Sequence, residues 1–266
     1  MSTLYVVATP IGNLEDITLR AIRTLKECGA ILAEDTRHSL GLLQHLGVPK
    51  KPLHAYHDHN EAEMVPRALR WLAEGTTLAL VTDAGTPAIS DPGYRLVRAA
   101  RDEGFQVVPI PGACAAVAAL SVGGLPTDRF TFAGFPPKKA GALGRFFEEL
   151  AGSAGTLVLY AAARDVVEVL QAAIASRGDT DVAIFRELTK TFEEVSRGPA
   201  SVVIADWTTT PRKGEVTLLL GEPASLNWDD DTLRAMLGKG SLDDVRAATG
   251  VSKKRLYSLK LGLGRK

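Results

Sequence analysis

Apolar and polar positions along this chain switch repeatedly between a strand period and a helix period. Leu4–Thr9 is a short apolar run carrying Tyr5, Val6 and Val7, and reads as a buried strand. Pro10, Gly12 and Asn13 turn the chain, and Leu14, Ile17, Ala21, Ile22 and Leu25 then recur at helical spacing to about Cys28. A strand at Ala30–Ala33 and a helix around Leu40–Leu46, stopped by Gly47, follow. Asn60 with Glu63 predicts a capping box opening a helix through Trp71, and Thr77–Val81 a third strand. Asp91-Pro92 reads as the cap and first position of a helix to about Glu103. Val107–Ile110 is then a strand and Ala113–Ser121 a small-residue helix.

The alternation restarts after a Gly/Pro-rich stretch. Strands are predicted at Phe130–Phe135, Thr156–Tyr160, Val182–Phe185 and Glu215–Leu220, with helices at Leu143–Ala151, Val166–Arg177 and Ala200–Trp207 between them. Such alternation implies an α/β protein with mostly parallel or mixed sheets and helices on their faces. The restart sets a boundary near Leu125–Thr127, giving domains at 1–125 and 126–225 and an extension at 226–266.

Composition changes the picture mainly in the tail. The 266 residues hold 31 Lys+Arg and 31 Asp+Glu, so the chain is not a globally basic nucleic-acid coat. Residues 226–266 nevertheless carry nine basic and five acidic side chains, and residues 251–266 carry six basic and none acidic. Ser241-Leu-Asp-Asp opens a short helix there, Gly250 ends it, and Ser252 caps a second one over Lys253–Leu261. Two short helices about a Gly turn, the second basic, make a helix-turn-helix outline suited to nucleic acid. Two cysteines, Cys28 and Cys114, form no disulfide framework. The first basic residue is Arg20, after Glu15 and Asp16, which is no signal-peptide pattern. Gly104–Thr127 lacks charge but is broken by Pro109, Pro111 and Pro126, so a strand plus helix is expected and not a membrane span. A reduced, cytoplasmic protein is the expectation.

Three Gly/Pro loops follow three predicted strands: Thr9–Asn13, Asp83–Gly93 and Pro111–Ala115. Ligands of open α/β sheets gather at such strand ends. The middle loop is neither a phosphate-binding P-loop nor a dinucleotide fingerprint. Mixed-charge segments, Glu34-Asp-Thr-Arg37 and Arg186-Glu-Leu-Thr-Lys190, occupy equivalent positions after strands and read by default as salt-bridged rims. All five histidines lie between His38 and His59, but the spacing of His54, His57 and His59 misses the helical metal-ligand pair. A metal hydrolase using that cluster with Asp35 is a separate class of reading.

The chain resembles the tetrapyrrole methylase family in several long segments. These are Ala8-Thr-Pro-Ile-Gly-Asn-Leu-Glu-Asp16, Ala33-Glu-Asp-Thr-Arg37, His57-Asp-His-Asn-Glu61, residues 82–94, Gly124-Leu-Pro-Thr-Asp-Arg-Phe130 and Arg186-Glu-Leu-Thr-Lys190. The resemblance implies two α/β domains with S-adenosylmethionine in the cleft between them, plus a small helical extension. It implies cofactor contacts at Pro10, Asp83, Ala84, Gly85, Thr86, Ile89, Cys114 and Ala115, with Tyr160, Ala161 and Leu188 covering the cofactor. The matching branch implies 2′-O-methylation of a cytidine ribose in 16S rRNA, cytidine 1402 in the usual rRNA numbering, with the small ribosomal subunit as partner, a homodimer, and no metal or membrane. Glu187 and Lys190, with Asp35 behind them, are then the catalytic candidates; Arg37, Arg129, Arg186, Lys253, Lys254 and Arg255 are the RNA-binding candidates. The alternatives within and beyond the fold are a corrin or porphyrin ring methylase and a noncatalytic RNA-binding protein. One segment departs from the family pattern: Tyr160-Ala-Ala-Ala-Arg164-Asp165 stands where Tyr-Glu-Ser/Ala-Pro is usual.

Overall fold

A computed structural model describes residues 2–223, 228–249, 251 and 253–263. The chain divides into two compact units, Met1–Ala115 and Ala116–Lys266. The predicted tail turn at Gly250 and cap at Ser252 lie outside the described residues.

The first unit is one parallel sheet of five strands: β1 (Thr3–Val7), β2 (Ala30–Ala33), β3 (Leu53–Ala55), β4 (Leu78–Val81) and β5 (Gln106–Ile110). Their spatial order is β3-β2-β4-β1-β5. All four residues of β2 and of β4 are buried, as expected for strands covered on both faces. Alternate residues serve opposite layers. Leu4, Leu32, Leu78 and Leu80 pack with α3 (Glu61–Ala73) and α4 (Tyr94–Asp102). Val7, Ile31, Ala79 and Val81 pack with α1 (Leu19–Glu27) and α2 (Thr36–His45). Because β4, β1 and β5 are neighbours and parallel, the loops leaving them emerge side by side on one edge.

Two helices start later than the sequence predicts, and a third starts at its predicted place without the predicted cap bond. Leu14–Asp16 is a single 3-10 turn, and α1 begins only after Thr18, whose hydroxyl accepts the N–H of Ala21. Asn60 caps nothing with its side chain: its carbonyl oxygen accepts from His57 N and its amide donates to Ala55 O, tying down the preceding turn instead. Asp91 is not a cap either. The helix α4 starts at Tyr94 behind Gly93, whose φ of 138° only glycine tolerates.

The second unit holds a mixed sheet, β6-β7-β10-β8-β9. Its strands are β6 (Phe130–Gly134), β7 (Thr156–Ala162), β8 (Asp181–Arg186), β9 (Glu194–Pro199) and β10 (Glu215–Leu220). Only β6 and β7 are paired in parallel. Helices α6 (Ala140–Leu150), α7 (Val166–Arg177) and α8 (Ala200–Thr209) cover one face through Leu143, Phe147, Leu170, Val203 and Trp207. The other face packs on α5 (Ala115–Gly123), where a Cβ on Gly123 would lie 2.3 Å from Leu219 Cδ1.

The tail is a small helical cluster: α9 (Asp230–Leu237), α10 (Leu242–Thr249) and α11 (Lys253–Leu263) around Leu233, Val245, Val251 and Leu256. Ser241 and Asp244 cap α10 reciprocally, the backbone N–H of each bonding the other's side chain. Among the described residues, no helix is long and apolar enough to cross a membrane.

Candidate functional site

The four loops leaving β2, β4, β1 and β5 are stitched together at the carboxyl edge of the first sheet. Thr9 and Gly85 exchange backbone hydrogen bonds of 2.8 and 3.1 Å, and the Thr9 hydroxyl donates to Thr82 O. Ala8 N donates to Ile110 O, and the Thr86 hydroxyl to Ala113 O at 3.1 Å. On the other side Asp35 N donates to Asp83 Oδ1 at 3.1 Å, while the Thr82 hydroxyl donates to Glu34 Oε2 at 2.7 Å. So Pro10, Asp83–Thr86 and the Cys114–Ala115 segment are brought onto one shelf of loop backbone. Pro10 and Gly85 are buried in it, Cys114 and Ala115 half-buried, and Ala84 and Ile89 exposed.

The middle loop is held in an uncommon conformation. Ala88 and Ser90 have φ of 70° and 62°, a region that costs non-glycine residues about 1 kcal/mol or more. Its far end is clamped by Glu61, a buried carboxylate that accepts from Gly93 N and from the Tyr56 hydroxyl and pairs with Arg95 at 3.3 Å. Glu61 lies in a segment that carries the family resemblance, yet nothing in the sequence assigned it this role.

This edge is acidic. Burial pushes the Asp91 carboxyl up to about 7, helped by the nearby charges of Glu34, Asp83 and Asp58. Burial also raises Asp83. Asp35 goes the other way: bonds from the Arg37 side chain and backbone hold it well below the usual carboxylate range. The raised group at Asp91 makes folding take up a proton between about pH 4 and 7. Stability from it is full below the unfolded carboxyl range and is lost as pH rises to about 7. Asp91→Asn therefore gains about 1–2 kcal/mol at pH 8 and nothing at pH 4, discounted for partial exposure. Urea melts at the two pH values check this.

In the second unit, the ends of β6, β7 and β8 and the starts of β9 and β10 share one edge. Glu187 and Thr189 follow β8 with φ of 51° and 66°. Glu187 accepts from Glu215 N at 2.9 Å, and Lys190 Nζ lies 3.3 Å from Glu187 and 3.4 Å from Glu215. The Glu215 N–H, aided by Lys190, holds Glu187 below the usual carboxylate range. Leu188 is half-buried beside it. Tyr160 accepts from Ala116 N at 3.1 Å, and Ala161 is buried against the helices, so a glutamate there would be forced into an apolar layer.

The predicted RNA-binding cations separate into two groups. Arg37, Arg129, Lys253 and Lys254 are exposed. Arg186 and Arg255 are not open in the way the sequence suggests. Arg186 donates to Glu194, Lys213 O and Phe192 O, and so braces the β8–β9 hairpin. Arg255 bonds Asp230 and Trp228 O, fastening α11 to the start of α9. The three clustered histidines make ring contacts: His54 lies 4.5 Å from the Trp71 ring, and His57 meets His59 edge-on. Among the described residues, no group of three or more His, Cys, Asp or Glu is arranged to hold a metal ion.

Residues 3–203 match the model of the tetrapyrrole (corrin/porphyrin) methylases. The chain belongs to this family. It is 42% identical over 272 residues to the ribosomal RNA small subunit methyltransferase I of Halalkalibacterium halodurans, covering 97% of this chain and 94% of that protein. The protein of that name from Escherichia coli O157:H7 is also 42% identical over 97% of this chain and 94% of its own length. Among solved structures, cobalt precorrin-4 methyltransferase superposes with a TM-score of 0.61 at 19% identity, covering 82% of this chain and 94% of that one. The uroporphyrin-III C-methyltransferase of Thermus thermophilus complexed with S-adenosyl homocysteine gives 0.53 at 21%, covering 85% and 100%. As a methyltransferase of this family, the chain takes its methyl group from S-adenosylmethionine. The donor set of the first unit fits that molecule. A sulfonium and an ammonium suit an edge where Asp83 and Asp91 resist ionising alone.

Proposed function

We propose that the protein methylates 16S rRNA in the small ribosomal subunit, on the 2′-hydroxyl of a cytidine ribose in the decoding region. The observation that carries this reading is near-full-length identity of 42% to proteins named ribosomal RNA small subunit methyltransferase I. The contrast between an acidic loop shelf on the first unit and exposed cations on the second and in the tail supports it. Pro10, Asp83–Thr86, Ile89, Cys114 and Ala115 hold the cofactor. S-adenosylmethionine supplies a methyl carbon bonded to a sulfonium sulfur, open to in-line displacement in which the sulfur leaves as a neutral thioether.

The remaining work falls to positioning. A ribose hydroxyl is a poor nucleophile at neutral pH, so alignment and a hydrogen-bond acceptor for its proton both count. Glu187, kept ionised by the Glu215 N–H and Lys190, accepts a hydrogen bond from the hydroxyl and orients it. Lys190 offsets negative charge developing on that oxygen. Asp35, already committed to Arg37, orders that arginine for a phosphate. Arg129, Lys253 and Lys254 add phosphate contacts. A 2′-hydroxyl acceptor requires splayed, unpaired nucleotides, which fits a folded rRNA loop.

Glu187→Ala and Lys190→Ala are each expected to lower methyl transfer to small subunits about a hundredfold. S-adenosylmethionine affinity, read by calorimetry, stays within about threefold. Near-normal turnover in both variants overturns the assigned roles.

A further inference from the structure

The loop after β6 carries a feature that none of these roles uses. Phe135 follows the strand directly and is 64% exposed, although it is a large apolar ring. It is fixed all the same. Tyr160 lies 5.5 Å from it at 59°, and Phe132 braces Tyr160 from its own side at 5.0 Å. Pro136 and Pro137 follow, which stiffens the loop. One face of a pre-oriented aromatic ring is thus left to solvent, on the same sheet edge as Glu187 and Lys190.

The chain segment that carries this ring has charges of one sign, whereas Glu187 and Glu215 on the same sheet edge are already paired with Lys190. From Arg129 to Phe147 the chain carries Arg129, Lys138, Lys139 and Arg145 and no acidic residue. Lys138 and Lys139 are exposed, and neither has an acidic partner among the described residues. Lys139 moreover occupies the N-cap of α6, where a cation opposes the helix dipole and no side chain caps the backbone. A fixed, exposed ring beside uncompensated cations is the arrangement that binds single-stranded nucleic acid: the ring stacks a base and the cations hold phosphates.

We propose that Phe135 is a stacking platform for an unpaired base of the RNA substrate, with Lys138 and Lys139 gripping the adjoining phosphates. The proposal rests on the RNA reading above and deepens it: Phe135 is a positioning residue that presents the nucleotide to the Glu187–Lys190 edge. Stacking is sequence-tolerant, so the platform orders the strand without choosing the base.

Steady-state methyl transfer to unmodified small subunits tests it. Phe135→Ala raises KM for subunits at least about fivefold, leaves the cofactor Kd unchanged, and Phe135→Trp restores KM to within about twofold. The Lys138→Glu/Lys139→Glu variant binds a labelled oligocytidine more weakly and flattens its log–log salt slope by about 0.7 per lost phosphate contact. A wild-type KM in Phe135→Ala overturns the platform while the RNA reading stands. Failure of the unaltered protein to label subunits defeats the RNA reading, and the platform falls with it.

Discussion

Gly85→Val is expected to weaken S-adenosylmethionine binding at least about a hundredfold and to abolish detectable methyl transfer, with the far-UV circular dichroism of the fold retained. Gly85 has a φ of 89°, which a β-branched residue does not adopt without strain. Space is not the obstacle, because a Cβ there would meet nothing nearer than Ile11 Cγ2 at 3.5 Å. The loss comes from the backbone. Relaxing φ breaks the paired bonds between Gly85 and Thr9, and these hold the β4 loop to the β1 loop. Gly85→Ala, which tolerates positive φ less badly than valine, should fall between wild type and Gly85→Val. Calorimetric titration of the three proteins with cofactor gives the order directly. Equal affinities would remove the loop shelf as the cofactor site.

The second large effect concerns stability. Arg177→Met should cost about 3 kcal/mol and lower the melting temperature by roughly 6–12 °C. Arg177 is 1% exposed, and its guanidinium donates to Leu150 O and Gly221 O, tying the ends of α6 and β10 to the end of α7. Burial pushes it down to about 10, with Glu222 opposing the shift, so it remains charged at neutral pH. Methionine fills similar volume but removes the guanidinium's donors from Gly221 O and Leu150 O, of which Leu150 O keeps Ser153 N, and losing a buried donor is the larger part of the cost. The cofactor affinity of the folded variant should not change. A melting temperature within about 2 °C of wild type would show that water satisfies those carbonyls.

Periodicity shows most of this fold because most of its strands are buried on both faces. Ala30–Ala33 and Glu215–Leu220 read at their observed bounds, and Val166–Arg177 does so as a helix. The elements that escape are those with little apolar signal. Leu53–Ala55 is three half-buried residues at a sheet edge, and Glu194–Pro199 is an edge strand with no buried position, whose inner-facing Glu194, Ser196 and Gly198 are not apolar. Asp230–Leu237 buries only Leu233 and Leu237 and opens within the acidic run Asp229–Asp231, which carries no apolar signal. A predicted cap bond fails where the polar side chain has a better local partner than the helix, as Asn60 does with His57 and Ala55.

The candidate site is legible in part for the same reason. Gly/Pro loops after apolar strands announce themselves, and the strand order β4-β1-β5 makes them neighbours. What a sequence hides is the use to which a charge is put. Arg186 and Arg255 look like open cations and are structural braces, whereas Glu61 looks like part of a helix start and clamps the Gly93 turn. Asp91 reads as a helix cap, but it stands with Asp83 of its own loop among Glu34 and Asp58 from two others, and only the fold brings those together.

The central claim is that this chain transfers a methyl group from S-adenosylmethionine to a ribose of small-subunit rRNA. The most direct measurement incubates the purified protein with methyl-labelled cofactor and unmodified small ribosomal subunits, then maps the label by mass spectrometry of nuclease fragments. One labelled cytidine in the decoding region of 16S rRNA is expected, with the added mass on the ribose. Cofactor binding without RNA label, or label on a base, would contradict it.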